Sequence, residues 1–108
     1  MLTFNTKNPS ECGIVETNSD GVVTSFHEKV PNPPCNKANG AVYVFDQELL
    51  EELAVLGAGI SDFSTQVLPA LVGRIQTCHT NGRFLDVGTP DRLLEANAIW
   101  SSDRPLSR

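Results

Sequence analysis

The feature that most constrains this chain is the change of pattern at Gly88-Thr89-Pro90. Before it, the segment 83–87 contains β-forming phenylalanine, leucine and valine, which predicts a strand. After it, apolar residues recur at helical spacing as far as Trp100, with threonine as the N-cap and proline in the first turn. Asp86 is therefore predicted near the end of a strand, just before a helix. A carboxylate there can meet a phosphate or a metal, or it can cap the turn.

Length and charge exclude several classes of protein. The 108 residues predict a single domain over 1–108, and the net charge of −5 argues against binding to nucleic acid or to a membrane surface. No apolar run is long enough to span a bilayer, and the N-terminus lacks the apolar core of a signal peptide, so we expect a cytoplasmic protein. Three cysteines without Cys-x-x-Cys spacing predict neither a disulfide framework nor a zinc site.

The order of the predicted elements indicates an α+β fold. Residues 1–11 are polar and receive no strand or helix. The elements that follow are strands over 12–17, 22–29 and 38–46, helices over 47–56 and 63–73, strands over 74–80 and 83–87, a helix over about 89–100 and a frayed tail over 101–108. The segment 38–46 is apolar on both faces, which predicts a strand in the middle of a sheet. We expect a mixed sheet of about five strands with helices packed mainly on one face.

A charged motif, Phe26-His27-Glu28-Lys29, ends the second strand of the predicted hairpin. Glutamate accepts hydrogen bonds from hydroxyls, and lysine offers a compact positive charge to a phosphate. Neighbouring side chains on a strand point apart, so the two reach one ligand only where the strand bends. The proline-rich loop that follows, residues 30–37, can supply this bend. The alternative is a solvated ion-pair hairpin without a ligand.

A third motif, Asn39-Gly40-Ala41-Val42-Tyr43-Val44-Phe45, lies in the apolar segment after the proline-rich loop. Small residues at 40 and 41 let a ligand approach the backbone closely. The alternative is that a buried strand needs small residues to pack against a helix.

The three motifs, in this order and spacing, resemble those of sugar-phosphate nucleotidyltransferases such as mannose-1-phosphate guanylyltransferases and glucose-1-phosphate thymidylyltransferases. The resemblance covers nearly all of residues 9–100. It implies that Glu28 contacts sugar hydroxyls, Lys29 contacts the sugar phosphate, Asn39, Gly40 and Ala41 line the sugar pocket, and Asp86 helps to hold the catalytic Mg²⁺. Val30 stands where the family usually has proline, and Gly40-Ala41 reverses the family's usual order. We expect the charged and amide residues, Glu28, Lys29, Asn39 and Asp86, to line one cleft.

The family's Gly-x-Gly-Thr-Arg-Leu loop, which cradles the nucleotide triphosphate, has no counterpart in these 108 residues. The resemblance therefore implies the C-terminal, sugar-phosphate-binding half of an α/β nucleotidyltransferase domain. The complete enzyme would convert a nucleoside triphosphate and a sugar 1-phosphate into a nucleotide-sugar and pyrophosphate. We expect this half to be inactive alone and to bind Mg²⁺ at most weakly, because a single carboxylate does not replace enough of the ion's waters.

Other interpretations stay open at this point. A separate nucleotide-binding chain could supply the missing half. Alternatively, the chain is a small self-associating protein with a vestigial sugar pocket and no catalysis. A stand-alone transferase would need another nucleotide site. An exposed sheet edge with apolar surface beside it predicts a homodimer, whereas a monomer would need its own ends folded over that edge.

Overall fold

The computed structural model describes residues 1–102. Its elements are β1 (Leu2–Asn5), β2 (Gly13–Thr17), β3 (Val23–Glu28), β4 (Lys37–Asn39), α1 (Gln47–Leu56), α2 (Phe63–Gln66), α3 (Leu68–Leu71), β5 (Cys78–Thr80) and α4 (Pro90–Ser101). The predicted α+β class with a mixed five-stranded sheet is confirmed. From residue 103 onward, the tail expected over 101–108 lies outside the described residues.

The five strands form one sheet in the order β3-β2-β4-β1-β5. The predicted hairpin is confirmed, because β2 and β3 pair antiparallel on either side of a turn in which Gly21 has a φ of 79°. Glycine adopts this left-handed conformation without a steric penalty. Strands β1 and β5 pair in parallel, which makes the sheet mixed.

Strand β1 is absent from the sequence-based prediction, although it lies between two other strands of the sheet. Thr3 is fully buried and pairs with Asn39 of β4 on one side and His79 of β5 on the other. Four residues are too few to show a clear alternation, and both partners of β1 are distant in sequence. Its place is therefore set by tertiary pairing and not by local pattern.

The strand predicted over 38–46 is much shorter than expected. Its central position in the sheet is right, but regular pairing ends at Asn39. Ala41 has a φ of 56°, which turns the chain out of the strand direction. Val44 is consequently 95% exposed, so the apolar residues of this segment are not buried on both faces.

The two strands predicted over 74–80 and 83–87 also need correction. Only Cys78–Thr80 forms a strand, and it pairs in parallel with β1. Because 83–87 forms no strand, Asn81 and Gly82 do not connect the two halves of a hairpin. The segment 81–89 has no regular secondary structure. Its Phe84 stacks on Phe4 of β1 with ring centroids 4.3 Å apart. The β-forming residues of this segment thus serve side-chain packing instead of strand pairing.

The segment 73–77 covers part of the outer edge of β3 before the chain enters β5. Gln76 bridges to Val22, and the Val23 N–H donates to the Ile75 carbonyl at 2.9 Å. The Cys78 N–H then donates to the Met1 carbonyl at 2.9 Å. The beginning of β3 is therefore covered by a segment of the same chain.

The helices follow their capping signals. The predicted bounds of α1 are confirmed, and Asp46 caps it by accepting the Leu49 N–H at 2.8 Å. Thr89 caps α4 by accepting the Arg92 N–H at 3.2 Å. The helix predicted over 63–73 is broken at Val67 into α2 and α3. Pro69, in the first turn of α3, has no N–H to donate to the preceding turn. No helix within the described part of the chain is long and apolar enough to cross a membrane.

Adjacent core residues in β2 show that both faces of the sheet are covered. Ile14 and Val15 are each 0% exposed, although neighbouring side chains on a strand point to opposite faces. By register, one face bears Phe4, Ile14, His27 and Ala38, and we call it the Ile14 face; the other bears Thr3, Gly13, Glu28 and Asn39, and we call it the Gly13 face. Within residues 1–102, the other buried apolar residues are Val23, Ala38, Val67, Leu68 and Leu71.

Candidate functional site

The strand register places a single row of residues across all five strands on the Gly13 face. In spatial order the row is Glu28, Gly13, Asn39, Thr3 and His79. Residues directly opposite each other on paired strands project from the same face. Two residues proposed from the sequence for sugar binding, Glu28 and Asn39, therefore face the same side and are separated only by the strand that carries Gly13. Farther along the row, the Thr3 hydroxyl and His79 Nδ1 are 2.9 Å apart.

Tyr43 lies near both Glu28 and Asn39 and completes a cluster with them. The Asn39 amide donates to the Tyr43 hydroxyl at 2.7 Å. The pKa of Tyr43 is raised, mainly because burial penalises the phenolate, and the nearby Glu28 carboxylate adds to the rise while the Asn39 hydrogen bond opposes it. The Tyr43 ring packs against Phe63 of α2 with centroids 4.9 Å apart, which holds the phenol in place. We call Glu28, Asn39 and Tyr43 the polar cluster.

Sequence reasoning includes Tyr43 in the third motif but gives it no role in the site. The signal available is a tyrosine four residues after an asparagine in an otherwise apolar run. A partly buried tyrosine hydroxyl usually has a hydrogen-bond partner. The turn at Ala41, which brings Tyr43 back over Asn39, is not evident from the sequence.

Backbone strain occurs on both sides of the polar cluster. Among residues 1–102, Lys29 and Ala41 alone combine a side chain with a positive φ, of 50° and 56°. This conformation costs an L-residue roughly 1–2 kcal/mol and is found preferentially at functional sites. Lys29 directly follows Glu28, so β3 does bend at the position where the two side chains need it. Its N–H is held by the Cys12 carbonyl at 3.1 Å.

Gly40 and Ala41 occupy unlike environments. A Cβ at Gly40 would lie 3.1 Å from the Leu2 carbonyl oxygen and 3.3 Å from Cζ of Phe84, so packing alone explains the small residue. Ala41 is exposed, and its N–H donates to Asn39 Oδ1 at 2.9 Å. Its left-handed backbone is one that glycine adopts more easily, which gives a physical reason for the Ala-Gly order usual in the resembling family.

Asp86 lies apart from the polar cluster. It is exposed in the irregular segment 81–89 and lines a cavity of about 470 Å³ beside α4. Phe84, two residues earlier, stacks on Phe4, which projects from the Ile14 face. In place of the single cleft expected for all four residues, the structure groups Glu28 with Asn39, puts Lys29 at the adjoining bend and leaves Asp86 toward the opposite face.

The fit of Mg²⁺ to this chain can be judged from the available ligands. No group of three or more histidine, cysteine, aspartate or glutamate side chains within residues 1–102 could hold a metal ion. Mg²⁺ needs several oxygen ligands in near-octahedral geometry. Among residues 1–102, no cluster of three or more such side chains surrounds a position for the ion, so waters, substrate phosphates or ligands from elsewhere would have to complete its shell.

The chain matches known proteins over almost its whole length. A protein-family model described as nucleotidyl transferase matches residues 1–102. The glucose-1-phosphate adenylyltransferase of Mycoplasma mobile is 37% identical over 95 residues, which cover 82% of this chain and 25% of that protein. That of Clostridium novyi is 32% identical over 105 residues, which cover 90% and 28%. The chain thus spans about a quarter of the length of these curated relatives. It belongs to the nucleotidyl transferase family, as the resemblance of its three motifs to sugar-phosphate nucleotidyltransferases implied.

Proposed function

We propose that this chain forms the sugar-1-phosphate-binding part of a nucleotidyltransferase that makes a nucleotide-sugar and pyrophosphate from a nucleoside triphosphate and a sugar 1-phosphate. Membership of the family supports this class of reaction. The observation that carries the sugar-binding assignment is the polar cluster on the Gly13 face. The names of the two relatives make glucose 1-phosphate and ATP the first substrates to test.

In this proposal each residue has a role that follows from its chemistry. Glu28 accepts hydrogen bonds from sugar hydroxyls, and the Asn39 amide offers both a donor and an acceptor. Lys29, exposed at the bend after β3, offers its ammonium to the phosphate. Holding the sugar phosphate in a fixed orientation lets one of its oxygens attack the α-phosphorus of the nucleotide, with pyrophosphate as the leaving group.

The nucleotide contacts in this proposal come from outside these 108 residues, either in the same polypeptide or in a separate chain. Asp86 would contribute one oxygen to Mg²⁺ only when further ligands are brought to it. We therefore expect no nucleotide-sugar from residues 1–108 with ATP, glucose 1-phosphate and Mg²⁺. Turnover that is abolished by Asp86→Asn would contradict this expectation.

Titration of the ¹⁵N-labelled chain with glucose 1-phosphate tests the sugar-binding assignment. We expect amide shifts at Glu28, Lys29 and Asn39, and their loss in Glu28→Gln. Glu48→Gln, which removes an exposed carboxylate from the first turn of α1, is the matched control and should bind normally. Glucose and inorganic phosphate are titrated separately, to show whether both parts of the ligand are required. If millimolar glucose 1-phosphate leaves the three amides unmoved, the assignment fails.

A second candidate function, self-association without catalysis, is favoured by one observation. The segment that leaves β4 and helix α1 expose large apolar side chains, namely Val42, Val44, Leu50, Val55 and Leu56. We propose a homodimer through this surface as the alternative. Sedimentation of wild type and Val55→Glu at micromolar concentration decides it: a dimer that dissociates in the variant supports the proposal, and a monomeric wild type removes it.

A further inference from the structure

We propose that Gly13 is a positioning residue for Glu28: its bare Cα leaves the space over β2 that the Glu28 carboxylate must occupy to join Asn39 and Tyr43. This inference rests on the proposed sugar-binding role of the polar cluster. Gly13 is not among the residues proposed from the sequence, and it contacts no ligand in this proposal. It acts through the position that it allows Glu28 to take.

The geometry around Gly13 is tight on the face of the sheet that bears the cluster. A Cβ placed there would lie 2.8 Å from Glu28 Oε2 and 2.9 Å from Cζ of Phe26. Contacts below 3.0 Å are essentially never made by real Cβ atoms, so something must shift when a methyl group is added. The Glu28 side chain is the more easily moved of the two, because it ends in a flexible, half-exposed carboxylate.

The direction of that shift follows from the strand order. Gly13 sits on β2, with Glu28 opposite it on β3 and Asn39 on β4 beyond it. The carboxylate now leans over Gly13 toward β4, where Tyr43 is bonded to Asn39. A methyl group at position 13 would push the carboxylate back toward β3 and away from Tyr43. The three groups would then no longer present their oxygens and amide together to one ligand.

Tyr43 provides a readout that needs no ligand. It is the only tyrosine in the sequence, so the absorbance of the phenolate reports its ionisation alone. Because the Glu28 carboxylate raises the pKa of Tyr43, moving that charge away must lower this pKa. We expect Gly13→Ala to lower the Tyr43 pKa toward the value in Glu28→Gln. In the double variant, Gly13→Ala should add nothing, because the charge is already absent.

The double variant also separates positioning from packing. If Gly13→Ala acts through Phe26, the Tyr43 pKa will change equally in the presence and absence of the Glu28 charge, and the proposal is overturned. Gly59→Ala is the matched control, since a Cβ at Gly59 meets nothing within 4 Å and the backbone needs no positive φ there. It should leave the Tyr43 pKa unchanged.

Binding of glucose 1-phosphate completes the test. We expect Gly13→Ala to weaken binding about ten- to a hundredfold, the effect of losing a hydrogen bond to a charged group. The loss should be no larger in Gly13→Ala/Glu28→Gln than in Glu28→Gln alone. A wild-type chain that does not bind refutes the proposed function, whereas normal binding by Gly13→Ala refutes only the role of Gly13.

Measurements on the wild-type chain keep the inference testable if Gly13→Ala fails to fold. The Gly13 α-protons should show nuclear Overhauser contacts to the Phe26 ring and to the Glu28 side chain. If contacts to Glu28 are absent at neutral pH, the carboxylate does not occupy this space and the inference is wrong.

Discussion

Two regions of the molecule are held in place by different kinds of interaction. One is the strand row that carries Glu28 and Asn39; the other is the irregular segment 81–89, which carries Asp86. Each residue of the row belongs to a hydrogen-bonded strand, and the fully buried Ile14 and Val15 lie beside it. The segment is held mainly by side chains: the ring stack between Phe84 and Phe4, hydrogen bonds of the Arg83 and Thr80 side chains, and the Thr89 cap of α4 at its end. Pairing therefore determines the face on which Glu28 lies, whereas a few side chains determine the position of Asp86.

This difference determines which motif residues have a fixed position in the chain by itself. In a sheet, a one-residue slip would move every side chain to the other face, so the core fixes the register and with it the polar cluster. An irregular segment has no such constraint. We therefore expect Glu28 and Asn39 to keep their places under perturbations that displace Asp86.

We expect the largest loss of stability when a core side chain of the strand region is truncated. Ile14→Ala removes a side chain that is 0% exposed, and we expect the free energy of unfolding to fall by about 2–5 kcal/mol. The cost is large because the removed atoms leave a cavity that β2, paired on both sides, cannot collapse to fill. Chemical denaturation monitored by circular dichroism measures it.

Val44→Ala is the matched control for this experiment. Val44 is 95% exposed, so removing its methyl groups should change the free energy of unfolding by no more than about 0.5 kcal/mol. Equal losses in the two variants would contradict the core assignment, which places Ile14 inside and the end of the predicted third strand outside.

A substitution in the irregular segment should lower the free energy of unfolding by less, and its structural effect should be confined to that segment. Phe84→Ala removes the ring that stacks on Phe4, and since Phe84 is only half-buried we expect a loss of about 2 kcal/mol. Hydrogen exchange should accelerate over 82–89 and leave β2 and β3 protected. Faster exchange throughout the sheet would show that the two regions are not independent.

The sequence predicts those elements whose signals are local. The hairpin over 12–29 has a turn between two short strands, and α1 and α4 begin at capping residues, Asp46 and Thr89. Strand β1 has no local signal because it pairs with β4 and β5, whose residues are far along the chain. The β-forming run 83–87 gives a wrong prediction of a strand, because an aromatic stack uses the same residue types as a strand.

The candidate site divides in the same way. The side chains of Glu28 and Asn39 are identified from motifs, and strand pairing then brings them to one face. The roles of Gly13 and Tyr43 depend on register and on the turn at Ala41, which no sequence pattern here specifies. Asp86 lies apart from Glu28 and Asn39 because the segment 81–89 pairs with no strand. The β-forming residues of that segment predict the opposite.

The turn that brings Tyr43 over Asn39 can be stabilised by one substitution. Ala41 has a φ of 56°, and glycine removes the steric cost of this conformation while adding some entropy to the unfolded chain. We expect Ala41→Gly to raise the free energy of unfolding by about 0.5–1 kcal/mol. Ala54→Gly, in the interior of α1, is the control and should lower it by about 1 kcal/mol. A loss of stability in both variants would show that Ala41 is not strained.

The smallest effect should be electrostatic and confined to the strand region. Glu16 Oε2 and His27 Nε2 are 3.1 Å apart across β2 and β3, and this hydrogen bond to His27 lowers the pKa of Glu16 below its ordinary value of 4.5. A lowered pKa in the folded state means that the ionised carboxylate stabilises the fold. This contribution is fully present above the unfolded pKa and is lost as the pH falls through the folded one. The pair is partly exposed, which keeps the contribution small.

Comparison of wild type with Glu16→Gln across this range of pH measures that contribution. We expect wild type to be the more stable near neutral pH, and the difference to disappear on acidification to well below pH 4.5. In a His27→Gln background, which lacks the imidazole, the difference near neutral pH should be smaller. A difference that grows as the pH falls below 4.5 would have the wrong sign, and it would show that the carboxylate is not held in its ionised form. Hydrogen exchange over 82–89 should not respond to the substitution, because that segment is held by Arg83, Phe84 and Thr89 and not by the Glu16–His27 hydrogen bond.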